Sequence, residues 1–436
     1  VMTTNEKALM LHEQWNGKLE TVSKTPVKSR EDLSLAYTPG VAEPCKVIAE
    51  DREAAYKYTM KANTVAVVSD GSAVLGLGNI GPYAAMPVME GKAVLFKEFG
   101  GVNAVPICLD TQDVDEIVGA VELMAPTFGG INLEDIKAPE CFTIESRLRE
   151  ECNIPVMHDD QHGTAIISSA GLLNALKIQG KKIDEIQVVV NGAGAAAISC
   201  TKLFCKLGMK MENIVMCDSH GVIRKDNPTL NEHKREFATD RDLHTLAEAI
   251  KGADLFLGLS VADVLTPEML LTMAPRPIVF ALANPNPEID YQLAHATRND
   301  IIVATGRSDY PNQINNVLGF PYIFRGALDC HARAINDEMK IAAVHAISEL
   351  ARRPVPQVVD EAYGAKNMEF GRDYILPKPL DPRLLTTVAP AVARAAAESG
   401  VAARPIEDYA AYEARLKRIS DKDRHLEQLL SSLNAY

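Results

Sequence analysis

Residues 186–197 read IQVVVNGAGAAA, and this stretch decides the fold. Three successive valines are a strand signal, and they run directly into Gly192-Ala193-Gly194 and a series of helix-forming alanines. The pattern is G-x-G-x-x-A between a strand and a helix. Gly192 permits the tight turn, Gly194 lets the backbone approach a pyrophosphate, Ala197 lets helix and strand pack closely, and the helix N-terminus offers free N–H groups. Asp218 ends the next strand-like run, residues 213–218, where a ribose hydroxyl needs an acceptor. A ligand-free strand-to-helix turn uses the same glycines, but strand, helix and acid together favour a dinucleotide. Asp218 suits a free 2′-hydroxyl, whereas His220, Arg224 and Lys225 suit a 2′-phosphate, so the reading leans only slightly to NADP over NAD.

Outward from this stretch the same alternation continues. Apolar runs at 253–260, 277–283 and 300–306 follow it, and runs at 64–70, 104–110, 131–136 and 154–160 precede it, separated by helix-compatible segments. The expected fold class is α/β, with two parallel-sheet domains. Residues 1–160 form the first, residues 161–390 form a Rossmann-type dinucleotide-binding domain, and residues 391–436 form a C-terminal helical segment. The uncharged run 163–176 reads as a buried helix joining the two units, and 327–352 and 382–399 carry apolar residues at helical spacing.

Composition narrows the function classes. The chain has 436 residues, 47% of them apolar and 24% charged, which suits an ordinary folded protein. A net charge of −13 disfavours nucleic acid and anionic lipid as partners. The uncharged stretch 71–89 is interrupted by Gly71, Gly76, Gly78, Gly81, Pro82 and Pro87, so it reads as loop and turn rather than a membrane span. The N-terminal residues show no basic region followed by a long apolar run, so no secretory signal is expected and the setting is cytoplasmic. Eight cysteines without a C-x-x-C pair read mostly as reduced core residues.

The first unit contributes acids. Glu134 and Asp135 close one strand-like run, and Asp159 and Asp160 close another. Ligands of open α/β sheets bind beyond the carboxyl ends of strands, so these acids converge on one edge. Oxygen-only ligands suit Mg²⁺ or Mn²⁺. Paired acids at strand ends also cap helices, and the residues alone leave the two readings open. His158 and His162 lack the following Glu of a zinc-helix motif and read as strand-to-loop, with His158 orienting a neighbouring acid.

Several segments in order resemble malic enzymes of the short bacterial type: Tyr37-Thr38-Pro39-Gly40-Val41-Ala42, Asp70-Gly71 with Gly76-Leu77-Gly78-Asn79-Ile80-Gly81, Gly91-Lys92-Ala93, Leu133-Glu134-Asp135, Asp159-Asp160-Gln161-His162-Gly163-Thr164-Ala165, and the Gly-Ala-Gly turn. The resemblance implies oxidative decarboxylation of L-malate to pyruvate and CO2 with reduction of NAD(P)⁺, assisted by Mg²⁺ or Mn²⁺. It implies Tyr37 as general acid, Lys92 as general base, and Glu134, Asp135 and Asp160 as metal ligands. Asn284 and Asn315 match the family's substrate-facing asparagines, and Asn316 beside Asn315 matches less closely. With Gly192, Gly194, Ala195, Ala196 and Asp218, Asn284 completes the candidate cofactor-binding set. Short malic enzymes usually form homodimers, so a homodimer is expected. One departure stands out: larger malic enzymes place an Arg after Asp-Gly to grip a malate carboxylate, and this chain has Asp70-Gly71-Ser72-Ala73-Val74.

The residue types fit that chemistry. Hydride removal from C2 leaves an alcohol proton for a base, and Lys92 serves if desolvation and a nearby cation lower its pKa. The β-keto acid then loses CO2 and its enolate takes a proton at C3, for which a phenol is suitable. Two other classes remain: an amino-acid dehydrogenase, which needs no carboxylate trio, and a non-catalytic dinucleotide sensor, which has little use for Tyr37 and Lys92.

Overall fold

The structure is a computed structural model that describes residues 2–420. It opens with an arm, residues 2–63, that carries α1 (Thr4–Trp15), α2 (Arg30–Ala36) and α3 (Ala42–Glu50). No side chain of this arm is buried.

Two parallel sheets follow. The first has the order β2-β1-β3-β4, from β1 (Thr64–Ser69), β2 (Asn103–Cys108), β3 (Gly130–Leu133) and β4 (Val156–His158). All of its pairs are parallel. Pro106 lies in β2 at the edge, where a missing N–H donor is tolerated. The second sheet has the order β10-β9-β8-β5-β6-β7, from β5 (Val188–Asn191), β6 (Ile214–Asp218), β7 (Gly221–Val222), β8 (Leu255–Gly258), β9 (Ile278–Ala281) and β10 (Ile302–Thr305). Only the short β7 runs antiparallel.

Both sheets are covered on both faces, and the alternation along each strand shows how. Val65 and Val67 enter the large central core while Ala66 and Val68 enter a separate core on the outer face. Val188 and Val190 enter that same central core, and Val189 turns to the outer core of the second unit. One face of each sheet therefore shares a single apolar interior, filled by α4 (Gly81–Gly100), α5 (Asp159–Gln179), α6 (Ala195–Lys206), α7 (Phe320–Asp329), α8 (Asp337–Ala351) and α9 (Arg383–Glu398). Among the described residues no helix is long and apolar enough to cross a membrane.

Two local expectations need correction. The stretch 71–89 is not all loop, because α4 begins at Gly81. Pro82 sits in its first turn, where no N–H partner is lost, and Pro87 lies on the exposed side. Meanwhile Ala85, Met89, Lys92, Ala93 and Phe96 form a buried stripe at helical spacing, which outweighs the two breakers. The joining helix also starts earlier than 163: α5 begins at Asp159, so His162 is helical and no loop follows β4. The acids Asp159 and Asp160 occupy its first turn, where the free N–H groups favour negative charge. At the other end, α9 runs through residue 390, and residues 409–420 are helical; residues 421–436 of the expected C-terminal segment lie outside the described residues.

Candidate active site

The strand order brings β1, β3 and β4 side by side, so the residues that follow them emerge at one edge. Lys92 reaches that edge from α4. It is 8% exposed, and its ammonium lies 3.0 Å from the Glu134 carboxylate, against the Asp159 carboxylate, and 3.8 Å from the centre of the Phe320 ring. Burial works against its charge, but Asp159 and Glu134 outweigh it and hold the ammonium above its ordinary pKa. The lowering expected of this lysine relies on a nearby cation as well as desolvation; from the protein groups alone, the density of acid around it decides the direction.

Glu134, Asp135 and Asp160 lie beside this pair, with one carboxylate oxygen from each within 4.8 Å of the others. Asp160 also accepts the Asp135 backbone N–H at 2.7 Å and sits 3.3 Å from His158 Nε2. Burial, and then Asp160, push the Asp135 carboxyl up to about 8. Burial raises Glu134 as well, with Asp160 and Asp159 adding to it against the pull of Lys92. Asp135 Oδ2 is buried without a hydrogen-bond partner. Three crowded carboxyls, one with an unsatisfied buried oxygen, fit a hard divalent cation, which relieves their mutual repulsion. His162 stands apart from this donor set: its Nε2 lies 2.9 Å from Glu145 and its Nδ1 3.1 Å from the Lys340 ammonium.

The loop after β1 locks this edge to α4. Asp70 accepts the Ser72 N–H and hydroxyl at 2.9 and 2.6 Å, Ser72 Oγ accepts the Lys137 N–H at 2.9 Å, and the Ala73 N–H donates to the Asp135 carbonyl at 2.9 Å. Gly71 adopts φ +70°, and a Cβ there would lie 2.1 Å from the Gly81 carbonyl oxygen, so only glycine lets this loop close on the start of α4.

The second edge belongs to the glycine-rich turn. Gly192 has φ +127°, and a Cβ on it would stand 2.4 Å from the Leu259 carbonyl oxygen. Above Gly194 there is open space, and Ala195 and Ala196 begin α6 half-buried beside it. Backbone approach by a phosphate is therefore unobstructed. Asp218 accepts the Lys234 ammonium at 2.7 Å and the His220 N–H at 2.9 Å. Burial works against its charge, but these partners hold its carboxyl below the usual range. Of the basic residues weighed for a 2′-phosphate, Arg224 is paired with Asp226 and Asp242, and Lys225 with Asp240. His220 stays beside Asp218, and Lys234, sixteen residues further on, was missed because only folding brings it there.

The two edges meet through α5 and α6, with Ser199 of α6 3.3 Å from His162 Nδ1. Asn316, rather than Asn315, joins the Lys92 cluster, its amide 3.1 Å from Asp159 Oδ2, while Asn315 accepts the Val317 N–H at 3.0 Å. Asn284 is exposed at the end of β9, with its amide facing Gly306. Tyr37 ends α2 on the arm and is 69% exposed.

Comparison with known proteins agrees with this arrangement. A family profile described as the N-terminal domain of malic enzyme matches residues 16–149, and one described as the NAD-binding domain of malic enzyme matches residues 161–359. A protein from Halomonas elongata named NADP-dependent malic enzyme is 58% identical over 389 residues, covering 89% of this chain and 92% of that protein. The chain belongs to the malic enzyme family. A Rhizobium meliloti protein named NAD-dependent malic enzyme is 55% identical, covering 95% of this chain and 54% of its own length. The chain likewise spans about half the length of other curated relatives named NADP-dependent malic enzyme. Among solved structures, malic enzyme from Pyrococcus horikoshii superposes with a TM-score of 0.90 at 44% identity, covering 99% of each chain.

Proposed function

We propose that this chain catalyses the oxidative decarboxylation of L-malate to pyruvate and CO2 with reduction of NAD(P)⁺, dependent on a divalent cation. The observation that carries the reading is the contact of Lys92 with Glu134 and Asp159, beside Asp135 and Asp160, at an edge joined through α5 to the glycine turn. Lys92 takes the C2 alcohol proton as general base. Tyr37 returns a proton to C3. Glu134, Asp135 and Asp160 hold Mg²⁺ or Mn²⁺, and Gly192, Gly194, Ala195, Ala196, Asp218 and Asn284 hold the dinucleotide; Asn284 and Asn315 face the substrate. When bound, the dinucleotide accepts the C2 hydride and the cation draws electrons from the reacting oxygen. Lys92 begins charged in its ring of acids, and charge compensation of those acids is what frees it to act as a base.

NADP⁺ is the preferred acceptor in this reading, supported by His220 and Lys234 beside Asp218. A homodimer is the working form, supported by the arm's exposed Leu9, Trp15, Val22 and Leu35 and the nearby exposed Tyr83 and Met86 of α4, an apolar surface suited to a second copy. A cytoplasmic setting is supported by eight free cysteines, five of them buried. The proposed domain division is at residues 160 and 390, with α5 spanning the first boundary and α9 the second.

The test is formation of reduced cofactor from L-malate and Mn²⁺ with NAD⁺ or NADP⁺ in parallel, with and without EDTA. Production that requires the metal, faster with NADP⁺, is expected. No turnover of L-malate, or turnover that survives EDTA, overturns the assignment.

A further inference from the structure

A carboxylate outside the acid cluster lies beneath the edge of the second sheet. Glu288 is fully buried. Its Oε1 accepts the Ser260 N–H at 3.0 Å and lies 3.4 Å from the Ser260 hydroxyl, and its Oε2 accepts the Ala283 N–H at 3.0 Å. Ser260 Oγ in turn accepts the Asn191 side-chain amide at 2.8 Å. These bonds reach three separate loops: Asn191 ends β5 and precedes Gly192, Ser260 follows β8, and Ala283 follows β9 and precedes Asn284. The strand makes room for the acid, because a Cβ on Gly258 would lie 2.4 Å from the Glu288 carboxyl carbon.

Burying a carboxylate is costly, and a packed apolar side chain fills such a space at less cost. An apolar side chain, however, cannot accept N–H donors from two loops at once. We propose that Glu288 is a positioning residue for the dinucleotide, fixing the loops after β5, β8 and β9 in mutual register before the cofactor arrives. It acts through Asn191, Ser260 and Ala283 on the groups that face the cofactor, Gly192, Gly194 and Asn284, and touches no reacting atom. Preorganisation of this kind lowers the ordering cost of binding. The inference rests on the dinucleotide reading of the second edge given above.

Both Glu288 oxygens face N–H donors, so Glu288→Gln must turn its own NH₂ toward one of them. Binding of NADP⁺ alone, measured by calorimetry, is expected to weaken about 10-fold, the equivalent of one lost charged hydrogen bond. Mn²⁺ affinity is expected to stay within about 2-fold, because Glu134, Asp135 and Asp160 follow strands of the other sheet. Ser260→Ala, which keeps the carboxylate and its backbone bonds, is expected to weaken NADP⁺ binding less and in the same direction. Unchanged NADP⁺ affinity in the variants, or equal loss of NADP⁺ and Mn²⁺ affinity, overturns the positioning role. If Glu288→Gln fails to fold, unchanged affinity in Ser260→Ala alone overturns it. Failure of the unaltered protein to bind NADP⁺ or NAD⁺ instead sinks the cofactor reading itself, and this inference with it.

Discussion

Lys92 and Tyr37 carry the two proton transfers of the proposed reaction, yet the regions that hold them are packed in opposite ways. Lys92 sits on a helix whose inner stripe is buried, and its ammonium is fixed by two carboxylates and a phenylalanine ring. Tyr37 ends a seven-residue helix with no buried residue, on an arm that places no side chain in any core. The first region is complete within one chain. The second is not, and the contrast teaches that, under the proposed roles, a single chain packs the base and leaves the acid exposed.

The strongest way to break this comparison is to remove the base. Lys92→Ala is expected to lower malate oxidation by at least ~10²-fold, the lower range for loss of a general base, while dinucleotide affinity stays nearly intact. Steady-state kinetics beside direct NADP⁺ binding separates the two, and equal loss of both assigns Lys92 to folding. Next in size is Asp135→Ala, which removes the acid held at about 8 by burial and by Asp160. The Mn²⁺ concentration for half-maximal rate is expected to rise by at least ~10-fold, in line with perturbations around metal sites. Unchanged metal dependence would strike Asp135 from the ligand set.

The arm offers a test of the other half. Trp15 is the chain's sole tryptophan, and it is 50% exposed. If the arm packs on a second copy, Trp15 emission at working concentration is blue-shifted and moves to the red on dilution, in step with loss of activity and with dissociation seen by sedimentation. Activity and emission that ignore dilution across the range where the protein is monomeric would show a chain sufficient by itself.

The same contrast explains what was legible beforehand. Strand-like runs, the glycine turn and the acids that end β3 and β4 are local signals, and their convergence follows from the parallel topology. The start of α4 was hidden because Pro82 and Pro87 read as breakers, although the burial stripe from Ala85 to Phe96 was already in the spacing. Which of Asn315 and Asn316 meets the acids, and the approach of Lys234, depended on contacts across 157 and 16 positions, which no local pattern records. The raised pKa of Lys92 was equally out of reach, since it is the sum of carboxylates supplied by two strand ends. The exposure of Tyr37 was illegible for a different reason: a motif identifies a residue and says nothing about which surface covers it.

The smallest expected effect concerns the missing carboxylate-gripping arginine. Ala73 stands in its place, with its N–H spent on the Asp135 carbonyl, so this loop supplies no cation. Lys137 is bound to the same loop through its backbone N–H to Ser72 Oγ, and its half-exposed ammonium lies 3.6 Å from Glu140 and 3.5 Å from Gln112. Those contacts are weak enough to yield to an incoming carboxylate. Lys137→Ala is therefore expected to raise KM for L-malate about 5-fold with kcat little changed, as loss of a single exposed charge contact would, about 1 kcal/mol. A KM that does not move would leave the substrate carboxylate to the bound cation and the asparagines, and the comparison would sharpen: the Lys92 edge would then hold both the base and the whole of the substrate's charge.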